Sequence, residues 1–188
     1  MRYLFIIIIL VLFSCSSAKL ADNDTKKVNT AKIEELIEKE AFKINVDYAF
    51  PKTSSQFNQA VQNLNLSAVG NSANRINIQG EGYYLEIKKD SVIAVLPFYG
   101  EQYSGYQITT HDRIEFKGDS EKYEINADPT KKSNRTRISF QIADANRIGE
   151  WYDVSLLIFE NGKTDMQVSS SRRSIMAYRG EVEGEEAE

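Results

Sequence analysis

The chain has 188 residues, with 23 basic and 27 acidic side chains, one histidine and one cysteine, and this length fits a single domain. Five acids fall in the last eight residues, so residues 15–180 hold 22 acids and 22 bases, a balance that excludes the basic footprint of a nucleic-acid-binding protein. The single histidine and cysteine exclude metal sites built from several such ligands, so we predict no metal, no cofactor and no nucleic-acid partner.

The first fourteen residues have the layout of a secretory signal. Arg2 precedes an unbroken apolar run over residues 4–13, and small residues follow that run. The run is about half the roughly 20 residues that a membrane-spanning helix needs. We therefore expect residues 1–14 to direct export and then to be removed.

Cys15 stands where cleavage of this signal is expected. The segment Leu12-Phe13-Ser14-Cys15 resembles a bacterial lipobox, in which the cysteine becomes a new, lipid-modified N-terminus. The resemblance implies that acyl chains such as palmitate are attached at Cys15, and several chains on one residue give a stable membrane anchor. The alternative is an ordinary signal peptide with an incidental cysteine.

Composition divides the rest of the chain into three parts. Residues 15–29 hold the lipidated cysteine and a polar stretch with too few apolar residues to join a core, which predicts a flexible tether. Residues 30–180 form one β-rich domain. The glutamate-rich residues 181–188 repel one another and predict a disordered acidic tail.

The first predicted element is a helix that begins at Thr30, a residue type that caps helices. Apolar side chains recur at helical spacing, at Ile33, Leu36, Ile37 and Ala41. Residues 43–50 then switch to the alternation of a strand, so the helix is expected to end near Lys43. Pro51 has no backbone N–H to donate to a neighbouring strand, so that strand is expected to end there.

Later segments alternate as strands or are rich in β-formers, at residues 83–88, 91–96, 113–117, 121–127, 136–143, 151–160, 163–169 and 175–181. Short connections predict hairpins over residues 83–96, 113–127 and 151–169, the last through a type I′ turn at Asn161-Gly162. The consecutive apolar residues 156–159 predict a central strand covered on both faces. The predicted fold is mainly β, an antiparallel sheet curled into a half-barrel or sandwich, with the N-terminal helix over one opening or face.

Five groups of residues occur in one order along the chain. They are Phe42-Lys43-Ile44 with Ala49 and Pro51; Gly82-Tyr83-Tyr84 with Asp90-Ser91; Leu96-Pro97-Phe98-Tyr99-Gly100 with Tyr103; Phe159 with Asn161-Gly162; and Val168, Ser170, Arg172, Ile175, Tyr178 and Gly180. Their order and spacing resemble a family of Bacteroidetes lipoproteins catalogued as domain of unknown function 4251. The resemblance implies a single lipoprotein domain and supplies no activity.

Catalytic patterns are weak, and we predict no catalytic residue. A serine hydrolase triad would have to use His111, but no Gly-x-Ser-x-Gly elbow is present. Gly80-Glu81-Gly82 leads into a strand, so it predicts a bend and not a phosphate cradle. The acid pairs Glu81 with Glu86 and Asp112 with Glu115 are the remaining candidates for hydrolase chemistry.

The aromatic segment over residues 97–106 is the candidate binding site. It has four aromatic residues, two glycines and a proline where a connection between strands is predicted, and loops and aromatic side chains with polar ends often serve binding. One of the arginines Arg172 and Arg173 is expected to stack on the ring of Tyr99 or Tyr103. The candidate residues are Phe98, Tyr99, Tyr103, Tyr106, Arg172 and Arg173. The alternative is that the segment closes one end of the fold and its rings fill the core.

The leading functional hypothesis is a non-enzymatic envelope lipoprotein, a binding or interaction module for an unknown ligand. It is expected in the outer membrane, anchored through Cys15 and facing the periplasm, with the cell surface as the alternative location. Its partner would be an envelope protein, a lipid or a glycan. The alternative function is a small hydrolase that acts on cell-wall or lipid material, which a cleft with convergent carboxylates would favour.

Overall fold

A computed structural model describes residues 30–52, 72, 74–89, 91–103, 107–127 and 135–183, with residues 107–111 and 127 described by their backbone alone. Helix α1 covers residues 30–38. Ten strands follow: β1 (Ala41–Pro51), β2 (Ile76–Asn77), β3 (Tyr84–Lys88), β4 (Ser91–Gln102), β5 (Gln107–Gly118), β6 (Glu121–Ala127), β7 (Arg135–Ala143), β8 (Trp151–Phe159), β9 (Lys163–Ser170) and β10 (Met176–Glu183). The mainly β prediction with one helix is confirmed for these residues.

All ten strands belong to one antiparallel sheet, and the sheet curls into a half-barrel. Its order is β5-β4-β3-β1-β10-β9-β8-β7-β6, with the short β2 paired beside β1. The first and last strands are therefore neighbours at the centre of the sheet, and two meanders run outward from them. Strands β5 and β6, which follow each other in the chain, form the two outer edges.

The predicted hairpin between residues 113–117 and 121–127 is wrong. Only Asp119 and Ser120 separate β5 from β6, yet β5 pairs with β4 and β6 pairs with β7. Three peptide steps reach at most about 11 Å, so the two edges must approach each other here for the chain to step across. Phe116 of β5 packs edge-on against Phe140 of β7, with ring centroids 6.2 Å apart, because curling lets each edge bury its inner face against the other.

The core lies inside the curl and is built by alternation. In β7, for example, Ile138, Phe140 and Ile142 are buried and the residues between them are not. Helix α1 closes one end of the half-barrel, where Ile37 joins the core and Ile33 lies against Gly162 in the turn between β8 and β9. Within the described residues, no helix is long and apolar enough to cross a membrane.

Several predicted boundaries shift. The helix ends at residue 38, not near 43, because Glu40 takes a positive φ of 49° and the chain then enters β1. The predicted end of the strand at Pro51 is confirmed, since Pro51 is the last residue of β1 and pairs with Met176. At the other end of the chain, β10 continues to Glu183 with Val182 nearly buried, so the first three residues of the predicted acidic tail are part of the sheet.

The hairpin between β8 and β9 is confirmed, but its turn differs from the predicted type I′. The amide of Gly162 donates to the carbonyl of Phe159, and of the two turn residues only Gly162 has a positive φ. This is the pattern of a three-residue loop that ends in a left-handed glycine. Strand β8 does lie inside the sheet, between β7 and β9. Its outward residue Leu157 is partly exposed, so the prediction of cover on both faces is wrong.

Candidate functional site

The predicted aromatic loop is mostly a strand, because β4 continues to Gln102. Phe98 is fully buried in the core at a register shift between Phe98 and Gly100. Tyr99 is half-buried, and burial, followed by the nearby Tyr83 and Glu81, raises the pKa of its phenol to about 12. Tyr103 exposes 61% of its surface. Tyr106 lies outside the described residues.

The two candidate arginines are neighbours in sequence but face opposite ways. Arg172 is exposed, and its carbonyl accepts a 2.8 Å hydrogen bond from the amide of Tyr103. Arg173 is only 2% exposed, and its guanidinium lies 5.1 Å from the ring centroid of Phe98. The ring contact of Arg173 therefore lies inside the protein and at Phe98, not at the predicted Tyr99 or Tyr103.

A glycine in β4 allows this approach. A Cβ placed at Gly100 would collide with the Oγ of Ser174 and with the ring of Phe98. The same Ser174 Oγ accepts a 3.0 Å hydrogen bond from the amide of Glu101, and the amide of Ser174 donates to the carbonyl of Glu101. These two hydrogen bonds hold the residues that follow β9 against the end of β4.

Arg173 is the centre of a buried group of charges at this end of the half-barrel. Its Nε lies 3.0 Å from Glu150, which is 1% exposed, and its Nη1 lies 3.5 Å from Asp112. Nη1 also donates to the carbonyl of Arg113, at 2.9 Å. Glu150 in turn accepts from the hydroxyl of Ser170, at 2.9 Å. Each buried charge in this group has an oppositely charged partner, because burying an unpaired charge costs a large free energy.

Asp144 and Arg147 complete this group. Asp144 accepts from the hydroxyl of Tyr152 at 2.5 Å and from the amides of Asn146 and Arg147 at 2.7 Å. Burial and the bond to Asp144 raise the pKa of Tyr152, so it stays a donor. A guanidinium nitrogen of Arg147 lies 2.7 Å from a carboxylate oxygen of Asp112. Burial alone would lower the pKa of Arg147. The hydrogen bond and the charge of Asp112 raise this pKa by more, so the net shift is upward.

We call these five residues, Asp112, Asp144, Arg147, Glu150 and Arg173, the charged network. It joins the β5 edge to the connections after β7 and β9, where the amide of Ala145 also donates to the carbonyl of Glu115. Ion pairs between side chains and one backbone hydrogen bond therefore link the β5 edge to these connections without a strand ladder. Its carboxylates face cations and donors, and within the described residues no three potential metal ligands come together.

Three carboxylates of the acid pairs predicted from the sequence are each engaged by a different partner. Glu86 pairs with Lys88 at 2.9 Å, and Glu115 accepts from the side-chain amide of Asn146 at 2.8 Å while Asp112 serves the charged network. Gly80 and Gly82 both take a φ of 80°, which agrees with a bend before β3. His111 lies within β5.

The same end of the half-barrel carries an exposed apolar surface that the sequence analysis missed in part. Ile148 is 99% exposed at the turn after β7, and Trp151 is 46% exposed at the start of β8. A Cβ at Gly149 would lie 3.5 Å from the Nη2 of Arg172, which connects this turn to Tyr103. We call Tyr103, Ile148, Trp151 and Arg172 the end patch. The signal for Ile148 was an isolated aliphatic residue within a polar, glycine-containing segment.

A second surface feature is an open groove of ≈ 330 Å³ on the outer face of the sheet. Four of its residues form one row across β7, β8, β9 and β10, in the order Arg137, Leu157, Asp165 and Arg179. Phe50 of β1 lies beside them, with the guanidinium of Arg179 5.5 Å from its ring centroid. Arg179 also pairs with Asp165 at 2.9 Å. We call this feature the outer groove.

Comparison with known proteins places the chain in a family but gives it no activity. No curated protein matches the chain. The family described as Domain of unknown function (DUF4251) matches residues 24–182, which include α1 and nearly all of the sheet. The chain therefore belongs to the DUF4251 family.

Proposed function

We propose that this protein is an envelope lipoprotein, anchored at Cys15 in the outer membrane and facing the periplasm, and that it acts by binding a ligand and not by catalysis. The secretory layout of residues 1–14 and the lipobox-like segment before Cys15 support the anchor. The partner is an envelope component that reaches the outer face of the sheet.

The outer groove is the observation that carries the binding role. Its volume of ≈ 330 Å³ falls at the lower end of the range typical of ligand sites, about 300–1,000 Å³. It combines the partly exposed apolar side chains of Phe50 and Leu157 with the cation Arg137, while the second cation, Arg179, is paired with Asp165. A ligand that has an apolar part and an anionic group fits this combination.

A hydrolase receives less support. Three carboxylates surround Arg173 in the charged network, but Glu150 is 1% exposed and Asp144 is 9% exposed. Asp144 already accepts three hydrogen bonds. Glu150 already accepts a hydrogen bond from Ser170 and forms an ion pair with Arg173. A general acid or base must come within hydrogen-bond reach of its substrate, and these groups lie beneath the surface.

We expect Cys15→Ala to abolish labelling of the protein by a fatty-acid analogue in cells, because the sulfur that carries the acyl chains is gone. The protein should then accumulate as uncleaved precursor or as material released from the membrane. Metabolic labelling followed by fractionation measures both. Unchanged labelling would contradict the anchor.

We expect ligand contact at the outer groove to be detectable by site-specific photo-crosslinking in cells. A photoreactive phenylalanine analogue at Leu157 should give a discrete adduct, identified by mass spectrometry, and Arg137→Glu should reduce its yield because the anionic group of the ligand loses its cation. Val95, an outward and partly exposed aliphatic residue of β4, is the matched control position. The same adducts from both positions, or a yield insensitive to Arg137→Glu, would argue against the groove.

A further inference from the structure

We propose that the end patch is a second membrane contact, which docks on the phosphate-bearing surface of the bilayer that holds the lipid anchor. This inference rests on the proposed function, because the anchor is proposed there. The end patch is a different surface from the outer groove. The proposal is argued from the chemistry of the four side chains of the end patch.

The composition of the end patch is that of a membrane interface. Among the described residues four large apolar side chains are exposed, and three of them, Tyr103, Ile148 and Trp151, are at this end. Tryptophan and tyrosine favour the headgroup level of a bilayer because their rings are apolar with one polar group. Ile148 can enter the acyl boundary, and the exposed Arg172 can pair with a lipid phosphate.

Hydrogen bonds hold the backbone that presents the patch before it meets a membrane. The turn that presents Ile148 is fixed by Asp144, whose carboxylate accepts from the amides of Asn146 and Arg147 at 2.7 Å. Tyr103 and Arg172 are joined by a 2.8 Å backbone hydrogen bond. Little ordering is therefore required when the patch docks, which favours binding.

The tether is long enough for the patch to reach its own membrane. Strand β8 runs from Trp151 in the patch to Phe159 beside the helix end, a length of about 26 Å at roughly 3.3 Å per residue. The fourteen residues between Cys15 and Thr30 can reach at most about 46–50 Å. An anchored domain meets this bilayer at high effective concentration, so a weak interfacial contact suffices.

The test uses the mature chain, residues 15–188, with Cys15→Ser so that it carries no lipid. Trp151 is the only tryptophan and lies in the patch, so its emission should shift to shorter wavelength when vesicles of phosphatidylethanolamine and phosphatidylglycerol are added. Ile148→Ser should weaken vesicle binding about tenfold or more, as the loss of one buried aliphatic side chain predicts. Arg172→Ala should weaken it about fivefold.

Ile125→Ser is the matched control, since Ile125 is the exposed aliphatic residue on β6 and should leave binding unchanged. No emission shift at millimolar lipid, or equal binding by the Ile148 and Ile125 variants, would overturn the proposal. A shift that depends on protein concentration without vesicles would assign the patch to a second copy of the chain instead. Because this protein is unlipidated, a failed anchor at Cys15 and a failed patch give separate results.

Discussion

Arg173→Ala is expected to lower the free energy of unfolding by about 3–5 kcal/mol, the cost of removing one partner from a buried ion pair. The substitution leaves Glu150, 1% exposed, without its cation and removes the donor to the carbonyl of Arg113. It also uncovers the ring of Phe98. The neighbouring Arg172→Ala should change stability by no more than about 0.5 kcal/mol, because that side chain is exposed.

Urea unfolding followed by circular dichroism measures both variants against the unchanged protein. Adding Glu150→Gln to Arg173→Ala should recover part of the loss, since the double variant no longer buries an uncompensated carboxylate. Equal stabilities of the Arg172 and Arg173 single variants would show that the charged network does not stabilise the link between the β5 edge and the connections after β7 and β9. A double variant less stable than Arg173→Ala alone would show that Glu150 is stabilised by groups other than Arg173.

The fold class was predictable because local alternation determines which face of each strand is buried. Residues 136–143 and the turn at residues 161–162 are sufficient to predict β7 and the hairpin of β8 with β9. The wrong prediction of a hairpin between β5 and β6 also has a physical cause. A short polar connection looks the same whether it joins two paired strands or carries the chain from one edge of a curled sheet to the other, and curl depends on contacts distant in sequence.

The charged network was not predictable for the same reason. Asp112, Asp144 and Arg173 are far apart in the sequence, and each occurs among polar residues that suggest a solvated surface. Arg172 and Arg173 differ by one step of alternation, which reverses their burial. The sequence therefore predicted an arginine beside the aromatic segment but could not tell which arginine is buried or which ring it covers.

The outer groove shows how a run of consecutive apolar residues can mislead. The consecutive apolar residues of β8 predicted cover on both faces, but Leu157 faces outward into the groove. An apolar residue on the outer face of an antiparallel sheet that is otherwise polar there is the sequence signal for such a surface. Arg137 and Arg179 join Leu157 only through the register of four strands, which local patterns do not fix.

Phe98→Ala is expected to lower the free energy of unfolding by about 3–5 kcal/mol, as is typical when a large buried aromatic side chain is truncated. Phe98 is fully buried, and both the core and the guanidinium of Arg173 contact its ring. Tyr99→Ala should cost about 1–2 kcal/mol because its ring is only half-buried against the core. Tyr103→Ala should cost no more than about 0.5 kcal/mol, since Tyr103 is 61% exposed.

Thermal melts and urea titrations of these three variants separate the two roles proposed for the aromatic segment. The graded series predicts that Phe98 fills the core while Tyr103 remains available to a membrane or a partner, so that Tyr103→Ala impairs cellular function with stability nearly unchanged. If Tyr103→Ala instead destabilises as strongly as Phe98→Ala, its ring is needed for folding. The end patch would then lose one of its two aromatic groups, and the whole segment would be part of the core.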